Sequence, residues 1–178
     1  TVYLDSLTAN DINQINGSGT SLDNRIYQLS DSAHNVIANI GQPWFANAAM
    51  NGINLTGSVS QSELNSIISN PTLSAHVSFG TANIASPLNI DQGKFVFDHG
   101  NNLNHITIAD AADKILTHTA DAYMQSAGSV QISSDTGNLL QGLSISSLKN
   151  LEKLNINFST LNFKILDSSS NIKADLGD

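Results

Sequence analysis

The side chains with which this chain could perform acid–base or metal chemistry are its five histidines and fifteen acidic residues. His99, His105 and His118 lie close to aspartates in the sequence, and imidazole with carboxylate is the donor set of many zinc sites. However, no two histidines have the H-x-x-x-H or H-E-x-x-H spacing that places both rings on one helix face. We therefore interpret the histidines as solvated residues and predict no cofactor, with calcium as the alternative.

Paired carboxylates would allow glycoside hydrolysis or a lyase reaction, in which one group acts as an acid and the other as a base or nucleophile. The two glutamates are Glu63 and Glu152. Glu63 follows Ser60 at the spacing of a helix capping box, and Glu152 falls on a predicted exposed turn. No serine occurs in the G-x-S-x-G sequence of a nucleophile elbow. The sequence therefore favours a protein that is not an enzyme, with a glycoside hydrolase or lyase as the alternative.

The single tryptophan, Trp44, is a candidate glycan contact. Its indole face could pack on a pyranose ring, and Tyr27 and Tyr123 could extend such a surface. The competing interpretation is that Trp44 closes one end of the hydrophobic core beside Phe45, because large aromatic side chains dominate core packing.

Composition and charge exclude several classes of partner. The chain has 178 residues, a formal net charge of −8 and no cysteine. Seven lysines and arginines, scattered singly, leave no basic stripe for nucleic acid and no attraction to an anionic membrane surface. No apolar run approaches the length of about 18 residues that a membrane helix needs. With 22 asparagines and 24 serines, the composition is typical of secreted bacterial repeat proteins.

One strand-then-helix phrase occurs four times along the chain. The copies are IYQLSDSAHNVIANI from Ile26, HITIADAADKILTHT from His105, SVQISSDTGNLLQGL from Ser129 and NFKILDSSSNIKADL from Asn162. The copies can be aligned on one polar position, which is occupied by Asp31, Asp110, Ser134 and Asp167. All four then have an apolar residue two positions before it and another five positions after it. The residues two positions before the polar position are Leu29, Ile108, Ile132 and Ile165. Matching columns of this kind indicate an internal repeat.

Each phrase predicts a half-buried strand followed by a capped helix. Alternating apolar residues are typical of a strand, and an Asp or Ser directly after it can accept a hydrogen bond from a free N–H group in the first turn of a helix. We therefore predict helix caps, each serving the helix that follows it, at Asp31, Ser60, Asp110, Ser134 and Asp167.

The strand positions recur at a nearly constant interval along the chain. They fall at 53, 77, 106, 130 and 154, and the one longer step contains an insertion near 91–102 with a predicted strand at Phe95–Phe97. Parallel strands joined by one short helix suit this interval, and such crossovers are right-handed. We predict an α/β fold, a right-handed βα solenoid of roughly 24-residue units with a mainly parallel sheet. A compact α/β fold and an all-β solenoid are the alternatives. Residues 1–25 are predicted to cap the N-terminal end, and residues 26–178 to form the repeat array.

The phrases resemble the V-x-V-x-D-T-A-A-N-I tandem repeats of very large secreted bacterial proteins, which are often RTX-type, type I-exported or adhesin-like. The matching residues are LSDSAHNVIANI (29–40), IADAADKIL (108–116), ISSDTGNLL (132–140) and ILDSSSNI (165–172). The resemblance implies an extracellular or cell-surface location and a structural or adhesive role. The glycine- and aspartate-rich calcium nonapeptides of RTX proteins are missing from this sequence, so the resemblance does not imply calcium binding.

The sequence therefore predicts a non-catalytic structural or adhesive module of a bacterial surface, biofilm matrix or filament protein. Leu161, Phe163 and Ile165 form a candidate edge strand, whose unpaired backbone groups invite another strand. We predict that a second copy or the neighbouring repeats of a longer chain cover this edge, which gives end-to-end assembly. The alternative is a carbohydrate-binding or polysaccharide-degrading solenoid. Nucleic acid and membrane insertion are not expected.

Overall fold

The computed structural model describes residues 2–3, 6–22 and 25–175. The chain folds as two compact units: unit 1 is Thr1–Ala85 with Phe95–Asn101, and unit 2 is Ser86–Lys94 with Asn102–Asp178. Among the described residues, no helix combines the length and the hydropathy of a membrane span. The N-terminal cap predicted over residues 1–25 stays a prediction, and residues 1, 4–5 and 23–24 lie outside the described part of the chain.

Unit 1 alternates very short strands with short helices. Its elements are β1 (Val2–Tyr3), α1 (Ala9–Gly17), β2 (Arg25–Ile26), β3 (Leu29–Ser32), α2 (Ala33–Ala38), α3 (Phe45–Met50), β4 (Ile53–Thr56), β5 (Ser58–Val59), α4 (Gln61–Ser69), α5 (Pro71–His76), β6 (Val77–Ser78), β7 (Asn83–Ile84) and the second half of α6 (Ile90–Asp98). Strands β3, β4 and β6 form one sheet, β1 pairs with β2, and β5 pairs with β7. Each of these pairs is parallel.

Unit 2 continues the same alternation. Its elements are the first half of α6, β8 (Thr107–Ala111), α7 (Ala112–His118), α8 (Ala122–Ser126), β9 (Ser129–Ser134), α9 (Ile145–Leu151) and α10 (Ser169–Asp175), with 3-10 turns at Leu139–Gly142 and Phe158–Thr160. Strands β8 and β9 pair in parallel. The chain is therefore a mixed α/β protein with short, mainly parallel sheets, and the predicted class is confirmed at that level.

In unit 1, one series of parallel pairs runs in sequence order through four chain positions, while β5 and β7 pair separately. The successive partners are Leu7, Leu29, Ile53 and Val77, so the steps are nearly equal in length. A step of this length holds one strand and the short helices that return the chain parallel to the previous strand. Leu29 and Ile53 are fully buried in this stack. The predicted pairing of positions 53 and 77 is confirmed.

Local capping explains where helix α4 begins. The Ser60 hydroxyl accepts a hydrogen bond from Glu63 N–H (3.3 Å), and Glu63 Oε2 accepts one from Ser60 N–H (2.8 Å). This reciprocal pair satisfies N–H groups that a helix start leaves without partners. Leu64 and Ile67, three residues apart on one face, are fully buried. The cap predicted at Ser60 is confirmed.

The strand predicted at Phe95–Phe97 is wrong, because these residues belong to helix α6. The helix begins directly after Asn89, whose Oδ1 accepts a hydrogen bond from Gln92 N–H (2.9 Å), while Gln92 Oε1 accepts one from Asn89 N–H (3.0 Å). Such a reciprocal cap starts a helix, and it outweighs an apolar alternation of only three residues. Ile90 and Val96 are the buried hydrophobic side chains of this helix.

The register of unit 2 differs from the predicted one. Successive strands again pair along the chain, and the partners are Leu88, Ile108, Val130 and Ile156. The prediction paired Val130 with positions 106 and 154. The observed partners, Ile108 and Ile156, each lie two residues later in the chain. Ile106 and Leu154 are also buried, and residues two apart lie on the same face of a strand. Apolar periodicity therefore selects the correct face but leaves the register open by two residues.

Candidate functional site

Asp31 links two consecutive strand–helix units instead of capping its own helix. Its Oδ2 accepts a hydrogen bond from the N–H of Ala9 (3.0 Å), the first residue of α1. Its Oδ1 accepts hydrogen bonds from the N–H of Ser32 (2.8 Å) and the side-chain amide of Asn35 (2.8 Å). Helix α2 is capped by Ser32, whose hydroxyl accepts from Asn35 N–H. The cap predicted at Asp31 is therefore wrong, because this carboxylate serves the preceding helix of the chain.

The same set of bonds recurs at Asp110 and Asp167, and we call it the aspartate clasp. One carboxylate oxygen accepts from the first N–H of an earlier helix, and the other accepts from the N–H of the next residue. The earlier-helix donors are Ala9, Ile90 and Ile145, at 3.0, 3.1 and 3.0 Å. The next-residue donors are Ser32, Ala111 and Ser168, at 2.8, 2.8 and 2.7 Å. The caps predicted at Asp110 and Asp167 are thus corrected in the same way as the one at Asp31.

A further group closes each clasp from four residues downstream, where a helix brings the side chain back to the same face. In the third clasp, Asn171 Nδ2 lies 2.7 Å from Asp167 Oδ1, which repeats the bond from Asn35 in the first. In the second clasp, the ammonium of Lys114 lies 3.5 Å from Asp110 Oδ2. The clasp therefore accepts an amide or an ammonium at this position.

Each clasp lies beside a pair of bridged strand residues. The pairs are Leu7–Leu29, Leu88–Ile108 and Leu143–Ile165. In all three, the N–H of the earlier residue donates to the carbonyl that precedes its partner, at 2.8, 2.9 and 3.0 Å. The carbonyl of the earlier residue accepts from the N–H that follows its partner, at 2.9, 2.8 and 2.9 Å. Backbone pairing and the clasp therefore hold the same two chain segments together.

The helix that each clasp serves has its own polar cap, and this cap lies upstream of the phrase that contains the clasp aspartate. These caps are Thr8, Asn89 and Ser144, and each directly follows an apolar strand residue. Each cap precedes its clasp aspartate by nearly the same interval, which makes the two positions a second repeating pair in the sequence. Pairing each phrase with this upstream apolar–polar step would have identified the partner helix.

Hydrogen bonding holds the pKa of the Asp167 carboxyl below its ordinary value. The N–H of Ile145 contributes most to this lowering, followed by the Asn171 side chain and the N–H of Ser168. Donors of this kind favour the ionised carboxylate, because only the charged form accepts at both oxygens. The third clasp is therefore a contact of an ionised group.

The pKa of Asp110 is also below its ordinary value. Burial raises this pKa, but the N–H groups of Ile90 and Ala111 and the ammonium of Lys114 together lower it by more. The carboxylate is therefore ionised at neutral pH although it lies largely within the fold.

We expect Asp110→Asn to lower the free energy of unfolding at neutral pH by about 1.5–3 kcal/mol, the range for hydrogen bonds to a charged group. Because the pKa of Asp110 is lower in the folded chain than in the unfolded chain, its contribution is complete above the unfolded value, 3.8, and is lost as the pH falls through the folded value. Urea unfolding between about pH 6 and pH 2.5 should show a steeper acid loss in the parent than in the variant. Asp113→Asn, an exposed carboxyl on helix α7, is the control; equal slopes for the parent and Asp110→Asn would refute the clasp.

The phrase that begins at Ser129, the third of the four, does not form an aspartate clasp. Ser134 ends strand β9 and is exposed, so the cap predicted there is wrong. The next residue, Asp135, accepts the N–H of Leu139 (2.8 Å) and thereby begins a 3-10 turn. Ile132 pairs with Asp110, so this phrase is offset by two residues from the others.

The candidate aromatic surface for a sugar is not formed as predicted. Trp44 is half-buried, donates from Nε1 to Asn13 Oδ1 (2.8 Å) and lies with its ring 5.9 Å from that of the buried Phe45. Tyr27 and Tyr123 are only 1% and 4% exposed, so neither offers a face to a ligand. Trp44 alone remains a candidate glycan contact.

Two histidines lie in structural contacts. The ring nitrogens of His99 lie 2.7 and 2.9 Å from the carbonyl oxygens of Phe95 and Ser74. His118 Nδ1 lies 2.7 Å from Asp121 Oδ2. Across the described ranges, no three His, Asp or Glu side chains converge into a group that could hold a metal ion.

The two glutamates belong to different units and have no shared role. Glu63 accepts the capping bonds of α4, and the Ser60 hydroxyl and then the Ser60 N–H lower its pKa. A general acid requires a raised pKa instead. Glu152 is exposed at the end of α9.

The edge strand predicted at Leu161, Phe163 and Ile165 is wrong as a strand, because residues 161–164 have no regular structure and only Ile165 is bridged. Ile165 forms a bridge with Leu143 through the carbonyl of Lys164 and the N–H of Leu166. In a parallel bridge of this type, the N–H and the carbonyl of Ile165 itself point to the opposite side. Within the described residues, these two groups have no backbone hydrogen-bond partner.

The equivalent residues of the first two clasps are covered by a further strand. Leu29 donates its N–H to the carbonyl of Gly52 (3.3 Å) at the start of β4, and Ile108 is covered by β9. Both residues are fully buried, whereas Ile165 is only partly buried and Leu166 is 67% exposed. The edge beside Ile165 in the third clasp is therefore open. The equivalent edge is covered by β4 in the first clasp and by β9 in the second.

The chain matches no protein-family model, no curated protein and no solved structure. Function is therefore inferred from the chain's own residues.

Proposed function

We propose that this chain is a non-catalytic structural or adhesive module of an extracellular bacterial surface, matrix or filament protein, and that it assembles end to end. The observation that carries the proposal is the open edge at Ile165. The outward N–H and carbonyl groups of this bridged residue can pair with a further chain segment, as the groups at the edge of a sheet do. A second copy of this chain, or the next repeats of a longer one, would supply that strand.

We further propose that the strands stack as a right-handed βα solenoid with units of roughly 24 residues. The sequential pairing supports this proposal, because the bridged positions are 7, 29, 53 and 77 in unit 1 and 88, 108, 130 and 156 in unit 2. Within unit 1 and within unit 2, each step between bridged positions is close to the length of one such repeat. The right hand is the one that parallel crossovers adopt. In such an array each repeat contacts only its neighbours. A strand at the end therefore has the same backbone groups to pair as a strand in the interior.

The extracellular location is proposed from the composition and from the resemblance of the four phrases to repeats of secreted proteins. The absence of cysteine and the abundance of serine and asparagine are consistent with it. The non-catalytic role is supported by the use of the acidic side chains, since Glu63 and the three clasp aspartates are occupied by backbone hydrogen bonds.

We expect Ile165→Pro to abolish self-association while leaving the fold intact. Proline removes the outward N–H of residue 165, whereas the bridge to Leu143 uses only Lys164 and Leu166. Ile165→Val keeps that N–H and is the matched control. Sedimentation velocity from low to high micromolar concentration, with calcium and with EDTA, should show association for the parent and for the valine variant only. A parent that stays monomeric, or a proline variant that associates equally well, would exclude this edge as the contact.

Carbohydrate binding is the second candidate function. The observation that favours it is a groove of about 540 Å³ in unit 2, lined by uncharged polar and aliphatic side chains. Its lining holds no carboxylate, so binding is a better hypothesis for it than polysaccharide degradation.

A further inference from the structure

The groove of unit 2 arises where strand β9 extends beyond its next neighbour. Val130 N–H donates to the carbonyl of Asn155 (2.8 Å), and Val130 is bridged with Ile156. The chain then turns away, because Asn157 Oδ1 caps the following 3-10 turn by accepting the N–H of Ser159 (3.1 Å). The rest of β9 is left facing an open groove, whose volume is in the range of pockets that hold small ligands.

The groove is lined by an aliphatic set and a polar set of side chains. The aliphatic set is buried or partly buried and is called the floor: Val130, Ile132, Ile156 and Leu161. The polar set is partly or fully exposed and is called the rim: Thr107, Ser129, Gln131, Asn155, Asn157 and Thr160. None of these side chains carries a charge, and Gln131, Asn155, Asn157 and Thr160 are exposed to solvent.

The rim groups repeat from strand to strand. Thr107 and Ser129 are partners in the β8–β9 register, with their hydroxyl oxygens 2.7 Å apart. Asn155 occupies the next strand position, since the residue after it bridges with Val130. Neighbouring strands are spaced by about 4.8 Å. The rim is therefore a short ladder of hydroxyl and amide groups. The Asn155 amide already donates to the carbonyl of Gly128, and the remaining donors and acceptors of the ladder can bond a ligand.

We propose that this groove binds a short stretch of neutral polysaccharide. A pyranose chain presents hydroxyl groups at its edges and C–H groups on its faces, which match the polar rim and the aliphatic floor. An uncharged lining gives no compensation for burying a carboxylate or sulfate, and the net charge of −8 repels acidic glycans. This binding does not depend on end-to-end assembly.

The test is a titration of the amide NMR spectrum of the full chain, carrying Ile165→Pro to keep it monomeric. The probes are cellohexaose, maltohexaose and laminarihexaose, with hexagalacturonate as the acidic comparator. We expect a neutral hexasaccharide to shift amides at 107, 129–132 and 155–161, with hexagalacturonate causing no shift. Gln131→Ala should weaken this binding about fivefold, as expected for one lost hydrogen bond.

The matched control is Gln14→Ala, an exposed glutamine on α1 in the other unit, which should leave the affinity unchanged. Three results would overturn the proposal: no saturable shift with any neutral probe up to about 10 mM, shifts that lie outside the groove, or equal affinity for the parent and Gln131→Ala. The same titration of the chain that keeps Ile165 separates this proposal from end-to-end assembly. If that chain does not associate but still binds a neutral hexasaccharide, only the assembly proposal fails.

Discussion

Replacing Gly128 with alanine is expected to unfold unit 2. A Cβ atom at this position would overlap the carbonyl oxygen of Asn104 and would lie 2.9 Å from that carbonyl carbon and 3.2 Å from the Cα of His105. These are backbone atoms in a segment that is itself fixed, since Gly128 N–H donates to the carbonyl of Leu103 (2.7 Å). Neither side can yield cheaply, so we expect a loss of about 3 kcal/mol or more in the free energy of unfolding.

The control for this substitution is Gly142→Ala in the same unit. There the new Cβ would meet only Leu166 Cδ1 at 3.6 Å, an ordinary van der Waals contact. We expect this variant to lie within about 0.5 kcal/mol of the parent. Urea unfolding followed by circular dichroism compares the two directly. Equal stability of the two variants would mean that the 103–105 segment does not pass over Gly128.

Ile108→Asp is expected to be equally severe, because it places an unpaired carboxylate at a fully buried position between Leu88 and Val130. A buried charge without a partner costs several kcal/mol or forces the site open. Ile165→Asp changes the equivalent residue of the third clasp, which is only partly buried, and should cost much less. Near-ultraviolet circular dichroism and urea unfolding measure both.

The conservative variant Ile108→Val should cost about 0.5–1.5 kcal/mol, the range for one lost methylene in a core. This separates the effect of the charge from that of volume. If Ile165→Asp unfolds the chain and Ile108→Asp does not, then Ile165 is the more buried of the two residues, which contradicts the structure.

Features set by neighbouring residues could be predicted from the sequence, and features set by distant residues could not. The Ser60 cap was predictable because its partner, Glu63, lies three residues away. Asp31 was assigned to the wrong helix because its decisive donor, Ala9, lies far upstream in the sequence, at the start of the preceding helix. The face of each strand followed from apolar alternation, but the register did not, since Ile106 and Ile108 are both buried.

The groove of unit 2 gave no signal in the sequence for a related reason. Its rim is assembled from β8, β9 and the segment 155–160, whose register was open, and serine, threonine and asparagine are too common in this chain to stand out. An edge segment was predictable in outline, because Leu161, Phe163 and Ile165 alternate with polar residues. That the same edge is covered by β4 and β9 in the other clasps required the hydrogen-bond pattern.

The measurement that tests the central claim most directly is hydrogen exchange of three equivalent amides, those of Leu29, Ile108 and Ile165, in dilute and in concentrated solutions of the parent chain. A paired amide in a buried strand exchanges only when the strand opens. An amide that points outward at an open edge exchanges without such opening. We predict slow exchange at Leu29 and Ile108 at both concentrations, with exchange at Ile165 fast in dilute solution and slow in concentrated solution. Slow exchange at Ile165 in the dilute monomer, or fast exchange at Ile165 in associated material, would contradict the claim that this edge is open and that assembly covers it.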